Sequence, residues 1–245
     1  WVTVAGASIS LAAILFPAPQ RYGVLYLGIL FDLLAFICFL PRRLQSIPVH
    51  TEHLIERVGL LTLILLGESV ISLSAGLANI SWTAERLMSA ATGFVTISSI
   101  WWVYFDSFHL LSKQKLATGH SVLYSHLFVF IGLSILASLI RHAILDDMHM
   151  ADFRVLAIVG TVCFFLGKQY AYFMERRELR RQLVINTTVV FGLTGLALLL
   201  PTTAYILLGL TAAVITYAFL SLKYLNVPRG HRHHPHSSAV KADQP

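Results

Sequence analysis

Apolar runs long enough to cross a lipid bilayer recur along almost the whole chain, each ended by a proline, a charge cluster or a polar loop. Eight can be marked: Val2–Phe16, Tyr22–Leu40, His53–Leu77, Leu87–His109, Val122–Ile144, Phe153–Phe173, Leu183–Leu200 and Thr202–Leu225. A span needs roughly 20 mostly apolar residues. Lipid offers no hydrogen-bond partners, so only helices and closed barrels cross it. These runs are continuously apolar, whereas barrel strands alternate. The pattern predicts an all-α polytopic transmembrane bundle of about eight spans, filling residues 1–225 as one domain. The last two spans meet at Pro201 with almost no loop, which leaves two readings, a tight hairpin or a re-entrant pair.

Composition reinforces this. Residues are 56% hydrophobic and 12% charged, and the mean hydropathy is +0.72, whereas soluble domains carry about 25% charged residues. The net charge of +6 does not form one basic face, so no nucleic-acid partner is expected. The expected partner is the lipid bilayer, with oligomerisation left open. Basic residues instead fall in alternate connections: Arg42 and Arg43, Lys113 and Lys115, Arg176 to Arg181, and the C-terminal tail. The opposite loops hold only Arg21, Arg86 and Arg154, beside the acidic Asp146, Asp147 and Asp152. Cytoplasmic loops are enriched in Lys and Arg, so a cytoplasmic C-terminus is expected. The start at Trp1 rather than Met reads as a trimmed chain or a fragment. Residues 226–245 are polar and rich in His, Pro and Ser, a composition expected to stay disordered. Cys38 and Cys163 lie inside apolar runs and read as buried, inert thiols.

Ionisable residues at membrane depth are costly and mark functional sites. The third run opens His50-Thr-Glu52-His53-Leu-Ile-Glu56-Arg57 and continues to Leu66-Gly67-Glu68-Ser69. Arg57 and Glu68 are separated by close to three helical turns, so they share a face about 16 Å apart and cannot pair directly. Small residues such as Gly59, Gly67 and Ser69 suit this helix to close packing and predict it as the central one. Asp106, at a similar depth to Arg57, is its expected partner. His126 and His53 are expected to join that inner cluster, with Glu56 in a different sector. Trp101, Trp102 and Tyr104 read as an interfacial belt. Arg141 is expected to reach outward to Asp146 and Asp147, and Lys168 to snorkel to the nearer interface. Asp32 and Glu68 lie far from water, the setting a proton carrier needs and equally that of a silent structural carboxyl. The spacing of His50, His53 and Glu56 suggests a metal only weakly. No phosphate loop, serine nucleophile elbow, zinc-protease motif or dinucleotide fingerprint is present, so neither an enzyme nor a cofactor is expected.

The third run, together with Trp101-Trp102-x-Tyr104-Phe105-Asp106 and Tyr124-x-His126-Leu, closely resembles the signature of the bacterial low-temperature-requirement A (LtrA) family. The match in motif covers roughly Trp1 to Ile144; the last spans are similar in hydropathy. The resemblance implies a multi-pass protein of the bacterial cytoplasmic membrane, linked to growth in the cold, with no established molecular activity. It also implies a further N-terminal half with an acidic-aromatic segment ahead of Trp1, echoed here by Leu30-Phe31-Asp32-Leu33. Arg141 departs from the family pattern, which implies a neutral or acidic residue at that position. Two functions compete. One is a carrier or channel-like protein for a proton, an ion or a small polar solute, using Glu68 and Asp32 as titrating groups and Arg57 with Asp106 as a gate. The other is a non-transporting protein that senses or organises lipid or a partner.

Overall fold

The computed structural model describes residues 2–44, 50–78, 80–112 and 120–225. Trp1, the loop with Lys113 and Lys115 and the tail beyond Leu225 lie outside the described residues, as do the side chains of Arg42, Arg43, Cys38 and His109.

The described chain is helical throughout, with no strand. Eight α-helices follow in order: α1 (Val2–Ala12), α2 (Gln20–Leu44), α3 (Thr51–Leu77), α4 (Ala84–Ser112), α5 (His120–Leu145), α6 (Met150–Glu175), α7 (Arg180–Ala197) and α8 (Thr203–Leu225). Each expected apolar run coincides with one of them. Among the described residues, five segments are long and apolar enough to cross a membrane: Glu52–Leu77, Ala84–Asp106, Ser121–Leu145, Met150–Met174 and Thr203–Leu222. The expected count of about eight spans is therefore not reached on this criterion. The reason is visible in α7, which has 18 residues but opens on Arg180-Arg181-Gln182 and carries Asn186. The run in α1 is short, at Val4–Leu15.

The centre of the bundle is α5, and this corrects the expectation for α3. The longest seam joins α5 to α6, and α5 also packs against α3, α4 and α8. Between lipid-solvated helices there is little hydrophobic drive to associate, so close van der Waals packing across small residues does the work. Gly132 of α5 meets the backbone of α6 directly: a Cβ there would collide with Phe164 N and lie 2.7 Å from its Cα. Gly167 of α6 returns the contact one turn away, where a Cβ would sit 2.7 Å from both Ser125 O and Val129 N. Leu139, Ile140, Phe164, Phe165, Ile206 and Leu207 fill the core around this seam, each at most 1% exposed. A second apolar cluster of Ile55, Val58, Val122, Ala171, Tyr172 and Leu183 ties α3, α5, α6 and α7 near the basic end.

α3, α4, α6 and α8 pack directly against this centre. α8 lies against α4 and α7. α7 hands over to α8 through a short turn in which Leu199 N and Leu200 N donate to Leu196 O and Ala197 O, and Thr202 Oγ1 accepts from Tyr205 N at 3.3 Å. The two helices pack side by side, an arrangement common to both readings of this turn, the tight hairpin and the re-entrant pair. α1 and α2 form a hairpin of their own, interlocked where Gly6 and Ser10 face Asp32 and Gly28. The outward surfaces are apolar, with Leu60, Ile64, Phe94, Ile158, Leu208 and Phe219 all exposed, the signature of helices that face lipid.

Replacing Gly132 by Ala is expected to force α5 and α6 apart and lower stability by about 1–3 kcal/mol. Gly192→Ala, at a position with no atom near the added methyl, is expected to be neutral or slightly stabilising. Thermal unfolding of the purified variants in one detergent compares the two, and a Gly132→Ala protein as stable as the parent would contradict the close approach.

Candidate functional site

The polar contacts of the bundle lie where its helices cross. α4 brings Tyr104 inward and α5 brings His126 to meet it, with Tyr104 Oη 2.7 Å from His126 Nε2 and both side chains 4% exposed. The other ring nitrogen, Nδ1, lies 2.7 Å from Val122 O one turn back on the same helix, with Ser125 Oγ 3.2 Å away. A carbonyl can only accept, so Nδ1 carries the hydrogen, and Nε2 of the neutral ring accepts from the Tyr104 hydroxyl. Thr62 of α3, fully buried, also reaches the Tyr104 side chain; its hydroxyl donates to Val58 O at 2.8 Å. Phe105 and Phe130 enclose the pair, with ring centroids 4.9 Å from Tyr104 and 5.9 Å from His126. Three helices thus converge on one imidazole sealed from water.

Two further polar staples cross the bundle. Thr96 of α4 and Thr211 of α8 place their hydroxyl oxygens 2.6 Å apart, and Lys168 of α6 donates to the Tyr217 hydroxyl of α8 at 3.3 Å. The Lys168 ammonium also lies 5.0 Å and 5.4 Å from the centroids of the Tyr217 and Tyr172 rings. At 6% exposure it does not snorkel as expected; two tyrosine faces solvate the charge in place of water.

The other sequence-derived candidates fall elsewhere. Arg57 and Glu68 do share a face of α3, but that face, with Leu60, Leu61, Ile64 and Ile71, is exposed. The expectation that intramembrane charges turn inward fails here. Among the described residues Arg57 forms no ion pair with Asp106, which is half-buried on α4. Neither Arg57 nor His53 joins His126. His53 instead approaches exposed Glu56, Nδ1 to Oε2 at 3.7 Å. Asp32 packs against Gly6 in the α1–α2 hairpin, and its Oδ1 is buried without a hydrogen-bond partner among the described residues. Of the seven candidates, only His126 enters the buried cluster, and its partner Tyr104 had been read as part of the interfacial belt. Trp101 and Trp102, about half exposed, do occupy the outer surface as such a belt requires. Tyr217 is a further inner residue, and a tyrosine well inside the last span signals a hydroxyl that needs a buried partner.

At the opposite end the acidic loop is held differently from the expectation. His142 makes the direct contact with Asp147, Nδ1 2.6 Å from Oδ1, Arg141 acts on that carboxylate only through its charge, and Thr203 donates to Asp146 at 3.3 Å. Asp146 takes a positive φ of 53° in this turn, a conformation that Asp tolerates better than most residues. The hydrogen bond from His142 holds the Asp147 carboxyl below its ordinary range.

These helices define a multi-pass helical membrane protein in which His126, Lys168 and Thr96 meet polar partners on neighbouring helices. The chain belongs to the bacterial low temperature requirement A protein (LtrA) family, whose model matches residues 1–219. The match therefore runs through α7 and most of α8, beyond the helices whose motifs carried the resemblance. No curated protein and no solved structure matches the chain.

Two outcomes follow. Tyr104→Phe leaves the buried Nε2 of His126 without a donor, an orphan acceptor that costs more than the roughly 0.6 kcal/mol average of an interhelical hydrogen bond in a membrane. A loss of about 1–2 kcal/mol is expected in thermal unfolding. For Asp147, whose folded-state value is depressed, the stabilisation is complete above the ordinary aspartate range near about 3.9 and is lost as pH falls through the lower folded value. Asp147→Asn should accordingly unfold at a lower temperature than the parent at neutral pH, with the difference closing in strong acid.

Proposed function

We propose that the chain is the helical bundle of a non-enzymatic carrier or channel-like protein that moves a proton, an ion or a small polar solute across the bacterial cytoplasmic membrane, with its basic end cytoplasmic. The observation that carries this reading is the His126–Tyr104 pair, enclosed at the α3–α4–α5 crossing. Histidine is the side chain that ordinarily changes charge near neutrality. With Nδ1 committed to Val122 O, only Nε2 is open to a proton. When Nε2 gains one, it ceases to accept, and the Tyr104 hydroxyl must turn to become the acceptor. The pair therefore has two hydrogen-bond arrangements linked by one proton, which is the element a proton-coupled conformational change needs. Thr62, beside Tyr104, connects that switch to α3.

A second reading, a non-transporting protein that organises lipid or a partner, draws on Arg57 and Glu68. Their place on the open face of α3 suits contact with another helix better than a buried gate.

Reconstitution of the purified protein in liposomes with a trapped pH dye tests the first reading. Gradient-driven flux above that of empty liposomes is expected, reduced at least about tenfold in His126→Gln and slowed in Tyr104→Phe, the range in which proton-transfer groups contribute. Flux from the parent no greater than from empty liposomes, over a range of ions, would sink it. Glu68→Gln separates the two: unchanged flux with altered assembly places Glu68 in a contact surface, and lost flux in a folded protein returns it to the pathway.

A further inference from the structure

A cleft of about 740 Å³ lies between α5, α6 and α7, walled by Phe128, Val162, Leu166, Phe173 and Leu183. Neither Tyr104 nor His126 lines it. It opens onto the exposed flank of the bundle, where Phe128, Leu166, Phe173 and Val184 are all exposed. From Val162 to Phe173 it follows α6 for about 16 Å, at ~1.5 Å per residue. That is about half the ~30 Å hydrocarbon core, the depth of one leaflet.

Two features distinguish this cleft from an ordinary gap between helices. The first is Gln169, 5% exposed, which lines the cleft and lies within hydrogen-bond reach of Thr187 of α7, while its Nε2 has no partner. Thr187 also donates to Leu183 O at 2.7 Å. If the amide were turned over, one N–H would meet Thr187 and the other would still be free. In either orientation one N–H of this buried, cleft-lining side chain is left without an acceptor among the described residues, and a buried polar group in that state calls for a partner. The second is the charge at the mouth. The Arg180 guanidinium stacks over Phe173, 4.9 Å from the ring centroid, and its Nε donates to Phe173 O at 2.8 Å. Arg176 is taken by Glu178 at 2.9 Å, but Arg177, Arg180 and Arg181 have no acidic partner among the described residues. Basic residues at a gap between transmembrane helices suit an anionic headgroup.

We propose that this cleft binds one anionic glycerophospholipid. An acyl chain lies along α6, an ester carbonyl accepts from the Gln169 amide, and the phosphodiester rests among Arg177, Arg180 and Arg181. The order of these groups matches that of the lipid: Gln169 is one turn, about 6 Å, deeper than Phe173, as an ester carbonyl is deeper than its phosphate. A free phosphate would use the arginines but leave the apolar walls and Gln169 unfilled.

Native mass spectrometry of the detergent-solubilised protein, titrated with phosphatidylglycerol, phosphatidylcholine or inorganic phosphate, tests this. One phosphatidylglycerol is expected to bind in preference to phosphatidylcholine, with no displacement by phosphate. Arg180→Gln should weaken phosphatidylglycerol about fivefold, the worth of one surface arginine, and leave phosphatidylcholine unchanged. Gln169→Leu should weaken both lipids. Thr188→Trp, at an exposed position lining the cleft, should block both while keeping the lipid-free unfolding temperature of the parent. Equal affinity for the two lipids, displacement by phosphate, or undiminished phosphatidylglycerol binding in Arg180→Gln and Thr188→Trp would each overturn the assignment.

Discussion

Inside a bilayer no water stands ready to complete a hydrogen bond, and the architecture of this protein follows from that shortage. Helices meet the demand of the backbone within each segment. Several hydroxyl side chains at depth turn back on their own helix: Thr62 donates to Val58 O and Ser69 to Leu65 O, and of Thr96 and Thr211 one does so while the other gives its hydrogen to its partner across α4 and α8. Groups too large for that local solution must reach another helix. His126 finds Tyr104, Lys168 finds Tyr217, and Gln169 finds Thr187. Each such contact fixes the rotation of two helices relative to each other, because the alternative is a polar group left in hydrocarbon.

These contacts rest on close backbone approach. Gly132 and Gly167 let α5 and α6 touch backbone to backbone, and this seam sets the depth at which His126 faces α4 and Lys168 faces α8. Positioning and packing are therefore one problem here. A methyl group in the seam would displace the imidazole as surely as a change beside it. The same geometry explains why the buried polar pair at the α4–α5 crossing is a histidine and a tyrosine. Uncharged partners that share one proton can sit at 4% exposure without the desolvation cost that a buried ion pair must repay.

The open face of α3 stands in contrast. Arg57 and Glu68 lie among Leu60, Leu61 and Ile64 on a surface that the described helices leave uncovered. A carboxyl group at that depth against acyl chains is costly, and among the described residues nothing covers it.

Length and hydropathy were enough to locate the helices. α3 was expected at His53–Leu77 and forms at Thr51–Leu77, and α8 was expected at Thr202–Leu225 and forms at Thr203–Leu225. Motif spacing around Arg57, Tyr104 and His126 was enough to point to the family, because those residues stand close together along the chain. Which faces turn inward was not legible. A helix apolar nearly all round has no stripe to orient it, so the ionisable residues were the only guide, and they suggested an inward Glu68 and a cluster of Arg57, Asp106 and His126. Tertiary packing decided otherwise: α5, joined closely to α6 through Gly132 and Gly167, is central, Tyr104 meets His126, and Arg57 and Glu68 stay exposed. Glycine contacts between distant segments carry that decision, and they acquire meaning only once the helices are side by side.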